Sequence, residues 1–343
     1  MKNYNNETKK ILKGFPPHIQ AQYGFNVDKP TFFGIHMEPI CNFKCRKCFI
    51  GEQKKLYDVQ PTLTMEEIKS IMKNAYNAGV KVMGITGAGE PLLDPRIKEI
   101  ISESNRLGFI TIIPTNASVL TKELLEFLRD NNVTLSLSFD STNCNTFTSL
   151  TGTNRQVFEK VLANVKMAQE VYANTMKEVI VNGQKVLLHR IAIHMTIQNE
   201  NKDDIEEVRK IVKEDTLFSL SPLAQTGFAQ NTKKPKTSEE LNKDLTEKHI
   251  VICYDNEHSC DVCGFFKYGI DMNFDGQLLL DAHAIETRHI FKNIRDFKYD
   301  ITAAYREAVE YKNEFIENWI DGFCPVRSAK LNDWINEKRG ITK

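Results

Sequence analysis

No stretch of the 343-residue chain approaches the roughly 20 consecutive apolar residues that a bilayer-crossing helix needs. The sequence therefore offers no membrane span. The amino terminus, MKNYNNETKKILKGFPPHIQ, lacks both an apolar core and a small-residue cleavage site, so it reads as no signal peptide and the expected location is cytoplasmic. Net charge is also missing. Forty-five Lys+Arg balance 45 Asp+Glu, which argues against a broadly basic nucleic-acid surface and against nucleic acid as a partner. There is no solenoid-type repeat. With 41% hydrophobic and 26% charged residues, the composition is that of a folded globular chain rather than a disordered one.

What the chain does have is eight cysteines. Without a secretory route these point to metals and thiol chemistry rather than to disulfides. Residues 1–30 read as a polar N-terminal extension. From 31 to 227 strand and helix patterns alternate: strands at 32–40, 80–86, 109–114, 133–139 and 216–221, and helices at 95–107, 121–131, 157–172 and 202–214. A further helix starts at Thr64, an N-cap with Glu67 completing a capping box, and ends at Gly79. Residues 178–198 read as a hairpin around Asn182-Gly183 with one long second arm, 185–198. About six βα steps in this span imply a parallel sheet with helices outside it, too few for an eight-fold barrel. A partial barrel and a doubly wound sheet both satisfy the pattern, and in both ligands sit at the C-terminal ends of the strands. Residues 228–247 read as a polar linker. Residues 248–343 read as a small cysteine-containing α+β module with a turn at Asp275-Gly276 and a helix at 298–312.

Cys41, Cys45 and Cys48 follow the first strand with the spacing Cys-x3-Cys-x2-Cys. Three soft thiolates this close can ligate one metal or cluster. No fourth cysteine lies nearby, so a cubane held here keeps one iron open to a small molecule, as catalytic zinc sites keep an open position. The run Cys41-Asn42-Phe43-Lys44-Cys45-Arg46-Lys47-Cys48 resembles the signature of radical S-adenosylmethionine (radical SAM) enzymes. Gly87-Ala88-Gly89-Glu90-Pro91, after the second strand, resembles the segment with which that family binds the SAM amino group. Thr115-Asn116-Ala117 is similar to the family's Thr-Asn-Gly turn. By the same resemblance Ser138-Phe139-Asp140 falls where the SAM ribose or carboxylate is contacted, and Asn199 and the segment 219–227 where adenine is contacted. One departure stands out: the position before the third cysteine, often aromatic in the family, is Lys47, with Phe49 the nearest substitute.

The resemblance implies a partial (β/α)6 barrel, a [4Fe–4S] cluster on Cys41, Cys45 and Cys48, and SAM held by Gly87, Ala88, Gly89, Glu90, Asn116, Ser138 and Asn199. It also implies an electron donor of flavodoxin or ferredoxin type. Reductive cleavage of SAM then gives a 5′-deoxyadenosyl radical that takes hydrogen from a substrate C–H bond. Cys263 with Gly276, and Cys324, resemble parts of a SPASM or twitch module, which carries auxiliary [4Fe–4S] clusters, but Asp281 and Arg327 stand at two positions where that module has cysteine, and Cys253 and Cys260 lie upstream, where its simplest version has nothing. Three readings stay open: a cluster on Cys260, Cys263 and Cys324 with Asp281 or Cys253 as fourth ligand, a zinc site on the same groups, or thiols without a metal. His258 and His283 default to surface histidines. Cys144 and Cys253 are candidates for a thiol that returns hydrogen to a substrate radical. The expected reaction is dehydrogenation or epimerisation of an amino sugar or aminoglycoside-type compound. A maturase for ribosomally made peptides is the alternative within the family, and a zinc-binding adaptor the alternative outside it.

Overall fold

The structure is a computed structural model, and it describes residues 12–14, 30, 32–48, 50, 61–181, 184–223, 227–229, 250–251, 269–279, 292–317 and 337. In chain order its first elements are β1 (Leu12–Gly14), β2 (Phe32–Met37), α1 (Met65–Ala78), β3 (Val82–Gly87), α2 (Ile97–Leu107), β4 (Ile110–Thr115), α3 (Lys122–Asp130) and β5 (Val133–Ser138). There follow α4 (Cys144–Thr151), α5 (Arg155–Val171), β6 (Lys177–Val181), β7 (Gln184–Leu188), β8 (Ile191–Ile197), α6 (Ile205–Lys210) and β9 (Leu217–Pro222). The last described are β10 (Ile250–Val251), β11 (Gly269–Met272), β12 (Leu278–Leu279) and α7 (Ile301–Glu317).

The main sheet has the order β10-β9-β8-β5-β4-β3-β2-β11-β12, and all of its neighbours are parallel except β11 and β12. Across the middle the strands follow chain order without reversal. Each right-handed βα step therefore advances the same way and puts its helix on the same side of the sheet. A doubly wound sheet reverses direction at a switch point, and this one does not, so of the two folds left open by the sequence the partial barrel is the one realised. Its two faces differ accordingly. Phe33, Ile35 and Met37 of β2 belong to the main core together with Ile68, Ile71 and Met72 of α1. The alternate residues Phe32, Val82, Ile112, Ala192 and Leu217 form a separate apolar cluster on the inner face, a floor near the N-terminal ends of the strands. Burying aliphatic and aromatic side chains of this size contributes about 1.5–3 kcal/mol each.

Local signals set most element boundaries. Thr64 caps α1 with the full capping box to Glu67, and Gly79 closes the helix. The long arm expected over 185–198 does not exist as one strand. It breaks at His189 and Arg190 into β7, which pairs with β6 and β1 in a second sheet, and β8, which joins the barrel. Two long-range contacts hold the break: His189 Nδ1 lies 3.0 Å from the Asp215 carbonyl oxygen, and Arg190 Nη2 donates to the carbonyls of Arg129 (2.8 Å) and Val133 (3.0 Å). The helix expected over 202–214 is a 3-10 turn followed by the short α6. Helix α4, capped by Asn143, has no counterpart among the elements expected from the sequence.

The described part of the segment after 247 adds to the barrel's own sheet. β11 runs parallel to β2, with Asp271 opposite Gly34. The expected Asp275-Gly276 turn is present: Gly276 N–H donates to Asn273 O (3.0 Å), Asn273 N–H to Gln277 O (2.8 Å), and Gly276 has φ 85°. Arg295 then ties this segment back to the first helix. Its guanidinium donates to both oxygens of Glu67 (2.6 and 3.1 Å), which also accepts from Tyr299 Oη at 2.9 Å. The Arg295 hydrogen bond, helped by those from Thr64 and Tyr299, holds the Glu67 carboxyl at about 2 against an ordinary 4.5. A lowered carboxyl pKa gives stability that is present above about pH 4.5 and lost as pH falls toward about 2. Glu67→Gln is therefore expected to cost about 1.5–3 kcal/mol at neutral pH and to flatten the acid limb of stability over that window, as measured by urea unfolding from pH 2 to pH 7. An unchanged acid limb would exclude this tie as its source.

Candidate active site

The cysteine loop leaves the C-terminal end of β2 and is fastened on several sides. The Gly87-Ala88-Gly89-Glu90 turn after β3 lies directly against it: Ala88 N–H donates to Met37 O (3.2 Å) and Glu90 N–H to Ile40 O (2.8 Å). A Cβ on Gly89 would collide with the Ile40 carbonyl oxygen, so this glycine is required by the approach of two backbones. From α4, the carbonyls of Thr151 and Leu150 accept from Lys44 N–H and Arg46 N–H, both at 2.9 Å. From the segment after β9, Phe228 N–H donates to Cys48 O at 2.9 Å. The tip of the β11–β12 hairpin arrives last: Phe274 clusters with Ala88, Ile50 and Cys48.

Side chains complete the fastening. Asn42 Nδ2 donates to Ser118 Oγ (2.8 Å) and its Oδ1 accepts from Asn116 Nδ2 (2.9 Å), which joins the loop to the turn after β4. In that turn Ala117 has φ 61°, the conformation for which the Thr-Asn-Gly version uses glycine. Glu90 is 4% exposed. It accepts from Thr115 Oγ1 (2.6 Å), Asn116 N–H (2.7 Å) and Leu92 N–H (3.3 Å). Burial pushes its carboxyl up, and these three donors pull against that. In this arrangement Glu90 orients the turns that frame the site.

Lys47 points inward. Its ammonium lies 2.7 and 2.6 Å from the two carboxylate oxygens of Asp140, just past β5, and 3.3 Å from Thr196 Oγ1 on β8. Asp140 is itself 3% exposed and accepts from Thr196 N–H at 2.9 Å. In the sequence Lys47 stands out as a departure and Asp140 as part of a strand-end segment; 93 residues separate them, and only the fold joins them.

All three thiols of the loop are half-buried. Cys41 Sγ accepts from Phe43 N–H at 3.4 Å. The Cys45 thiol is pushed up to about 12, chiefly by burial; Lys47 pulls it down, and Asp140, Cys48 and Cys41 add to the rise. The three sulfurs thus lie within electrostatic reach of one another, although among the described residues no three Cys, His, Asp or Glu side chains are drawn into a closed metal-ligand group. A thiol with so high a pKa ligates only when a metal displaces its proton. Three half-buried thiols on one loop at the strand ends, with the Gly87–Glu90 turn against that loop and the Lys47 ammonium near Cys45, are a donor set that fits an iron–sulfur cluster.

Of the other expected residues, Ser138 ends β5 opposite His194. Asn199 lies exposed in the turn after β8. Cys144 opens α4 and packs against the main core. Phe49, Cys253, His258, Cys260, Cys263, Asp281, His283 and Cys324 lie outside the described residues.

Comparison with known proteins adds to this geometry. The family model described as "Radical SAM superfamily" matches residues 35–212. A GTP 3′,8-cyclase of Staphylococcus epidermidis is 24% identical over 279 residues, 74% of this chain and 80% of that protein. An S-adenosylmethionine-dependent nucleotide dehydratase of Flammeovirga pacifica is 24% identical over 236 residues, 64% of this chain and 78% of that one. Among solved structures, Streptococcus suis SuiB bound to the precursor peptide SuiA is similar in fold, with a TM-score of 0.65 at 17% identity over 87% of this chain and 72% of that one. The structure titled "Native anSMEcpe with bound AdoMet and Cp18Cys peptide" is also similar, with a TM-score of 0.55 at 16% identity over 81% and 83%.

Proposed function

Since the chain belongs to the radical SAM superfamily, an enzyme family that works with a [4Fe–4S] cluster and SAM, we propose that it takes a hydrogen atom from a hydroxyl-bearing carbon of a small polar substrate of amino-sugar or aminoglycoside type, with dehydrogenation or epimerisation as the outcome. Cys41, Cys45 and Cys48 hold the cluster. The Gly87-Ala88-Gly89 backbone, Asn116, Ser138 and Asn199 line the place for SAM, and Glu90 keeps the surrounding turns in position. Together these groups supply reductive SAM cleavage and the radical that abstracts hydrogen; the chain's remaining task is to hold the substrate and keep water out. An electron carrier of flavodoxin or ferredoxin type delivers the electron. Cys260, Cys263 and Cys324, with Asp281 or Cys253, are proposed to carry the auxiliary cluster that accepts an electron in a dehydrogenation. Cys144 or Cys253 is the thiol that returns hydrogen in an epimerisation.

The observation that carries the substrate class is the polarity of the inner barrel wall above its apolar floor. Asn273 is fully buried with neither end of its amide hydrogen-bonded, and the Thr86 hydroxyl is buried without a partner. His36 lies between them by register, opposite Thr86 on β3 and next to the Ile35–Met272 pair that precedes Asn273. On the far side of the sheet, His194 sits between Ser219 (2.7 Å) and Ser221 (3.0 Å). A buried group without a partner costs about 1–3 kcal/mol and is rare in native proteins. Such groups match a ligand rich in hydroxyls and amines. Thr86→Val, which keeps shape and removes the orphan, is expected to raise the melting temperature of the ligand-free protein while weakening substrate binding at least tenfold. A lower melting temperature would assign Thr86 a structural bond instead.

The reading is tested by anaerobic reconstitution followed by measurement of 5′-deoxyadenosine with aminoglycosides, nucleoside triphosphates and short peptides as probes. Stimulation by an aminoglycoside is the expected result. Stimulation by nucleotides alone, the substrates named for the two curated relatives, or by peptides alone would overturn the substrate class. Solvent deuterium at the product carbon marks epimerisation, and an oxidised product marks dehydrogenation.

A further inference from the structure

We infer that the buried pair Lys47–Asp140 is an electrostatic positioning device that sets how readily the cluster on Cys41, Cys45 and Cys48 accepts an electron. The inference rests on those three cysteines holding the cluster and goes beyond it, because it assigns a role to two residues that ligate nothing.

The pair is built into the fold. Lys47 lies between two of the cysteines and its side chain is 15% exposed; the Asp140 side chain is 3% exposed. The ammonium reaches both carboxylate oxygens and Thr196, and Asp140 takes a further bond from Thr196 N–H. Asn201 Nδ2, in turn, donates to the Asp140 carbonyl at 3.0 Å. Both charges are therefore fixed in place by β5 and β8 and cannot swing away. Screening by solvent is weak at this depth, so each acts on its neighbours far more strongly than a surface charge does. The two charges stand beside the cysteine loop with opposite signs: Lys47 is two residues from Cys45, and Asp140 meets its ammonium from the end of β5.

The same opposition applies to reduction. The potential of an iron–sulfur centre depends on nearby charge, hydrogen bonds to sulfur and exposure. Taking up one electron adds one negative charge beside Cys45. A fixed cation favours that state and a fixed anion disfavours it. Lys47 therefore raises the cluster potential and Asp140 lowers it, so the pair brings the centre within reach of its donor without placing an uncompensated charge in the barrel wall.

The two charges can be removed separately. Lys47→Met and Asp140→Asn break the same ion pair, so a purely structural role would move the potential the same way in both. An electrostatic role moves it in opposite directions. The measurement is an EPR-monitored dithionite titration of the reconstituted full-length protein without SAM, with iron content and thermal unfolding recorded for each variant. Lys47→Met is expected to make reduction at least tenfold less favourable and Asp140→Asn at least tenfold more favourable, about 59 mV each for a one-electron couple. The double variant should fall between them, and Lys47→Arg, which keeps the charge, should titrate like wild type. If the single variants load too little iron, Lys47→Arg decides: a wild-type midpoint supports the inference, and a midpoint displaced from wild type by the equivalent of tenfold or more, although the charge is kept, would overturn it. Shifts of the same sign, or none, in variants with full iron would overturn it while leaving the cluster in place. A wild-type protein with no reducible EPR signal would remove the cluster, and the inference with it.

Discussion

Replacing Cys45 with alanine is expected to reduce 5′-deoxyadenosine formation to the level without enzyme and to remove about four irons per chain, while the protein keeps its fold. Cys45 is the middle thiol of the loop and packs against the main core, and that thiol is pushed up to about 12, chiefly by burial. Two remaining thiols cannot hold a cubane that already lacks one protein ligand. The folding cost is modest by comparison, because alanine fills most of the space of a small buried thiol. The loop backbone is held by Thr151, Leu150, Phe228 and Glu90, none of which depends on sulfur. Iron and sulfide determination, SAM cleavage and thermal unfolding on the same sample check this. Retained SAM cleavage would remove Cys45 from the cluster. Iron loss with retained folding separates a missing ligand from a collapsed loop.

Gly89→Ala is expected to be at least as damaging by a different route. The methyl group would meet the Ile40 carbonyl oxygen, an atom of the main chain that cannot rotate away. Relief requires the turn and the cysteine loop to separate, which breaks the 2.8 Å bond from Glu90 N–H to Ile40 O. Overpacking of this kind costs about 1–3 kcal/mol or more. Its functional effect comes first, because the displaced loop segment leads directly into Cys41. Ala88→Gly, in the same turn but without added bulk, is the control. The expected pattern is a lowered melting temperature and lost SAM turnover in Gly89→Ala, with both much less affected in Ala88→Gly. Wild-type turnover in Gly89→Ala would show that the contact between turn and loop does not govern the site.

The elements set by short-range chemistry were legible in the sequence. Thr64 and Glu67 form the capping box they spell, Gly79 and Gly108 end their helices, and Asp275-Gly276 makes its turn. The three cysteines and the Gly-Ala-Gly-Glu-Pro segment mark the candidate site in the sequence, and the structure packs the two segments against each other. What stayed hidden depends on partners distant in the chain. Nothing around His189 reveals that Asp215 awaits it, so two strands read as one. Lys47 is separated from Asp140 by 93 residues, and a lysine between cysteines reads as surface until its partner is placed. The resemblance assigns Gly89 to SAM, but the backbone that approaches it in the fold belongs to Ile40, a contact that local pattern does not encode. The affinity of β11 for the edge of β2 is likewise a matter of register between segments far apart, which local pattern does not encode.

The contacts of Phe228 and Phe274 with Cys48 have a consequence for biosynthesis. The loop emerges early from the ribosome, yet two of its walls come from residues near the last third of the chain. A nascent chain therefore exposes three thiols long before it can enclose them. A cluster proposed on these thiols is therefore expected to be enclosed only after translation, once the hairpin has docked, and a chain truncated before Gly269 is expected to retain less iron on reconstitution than the full chain.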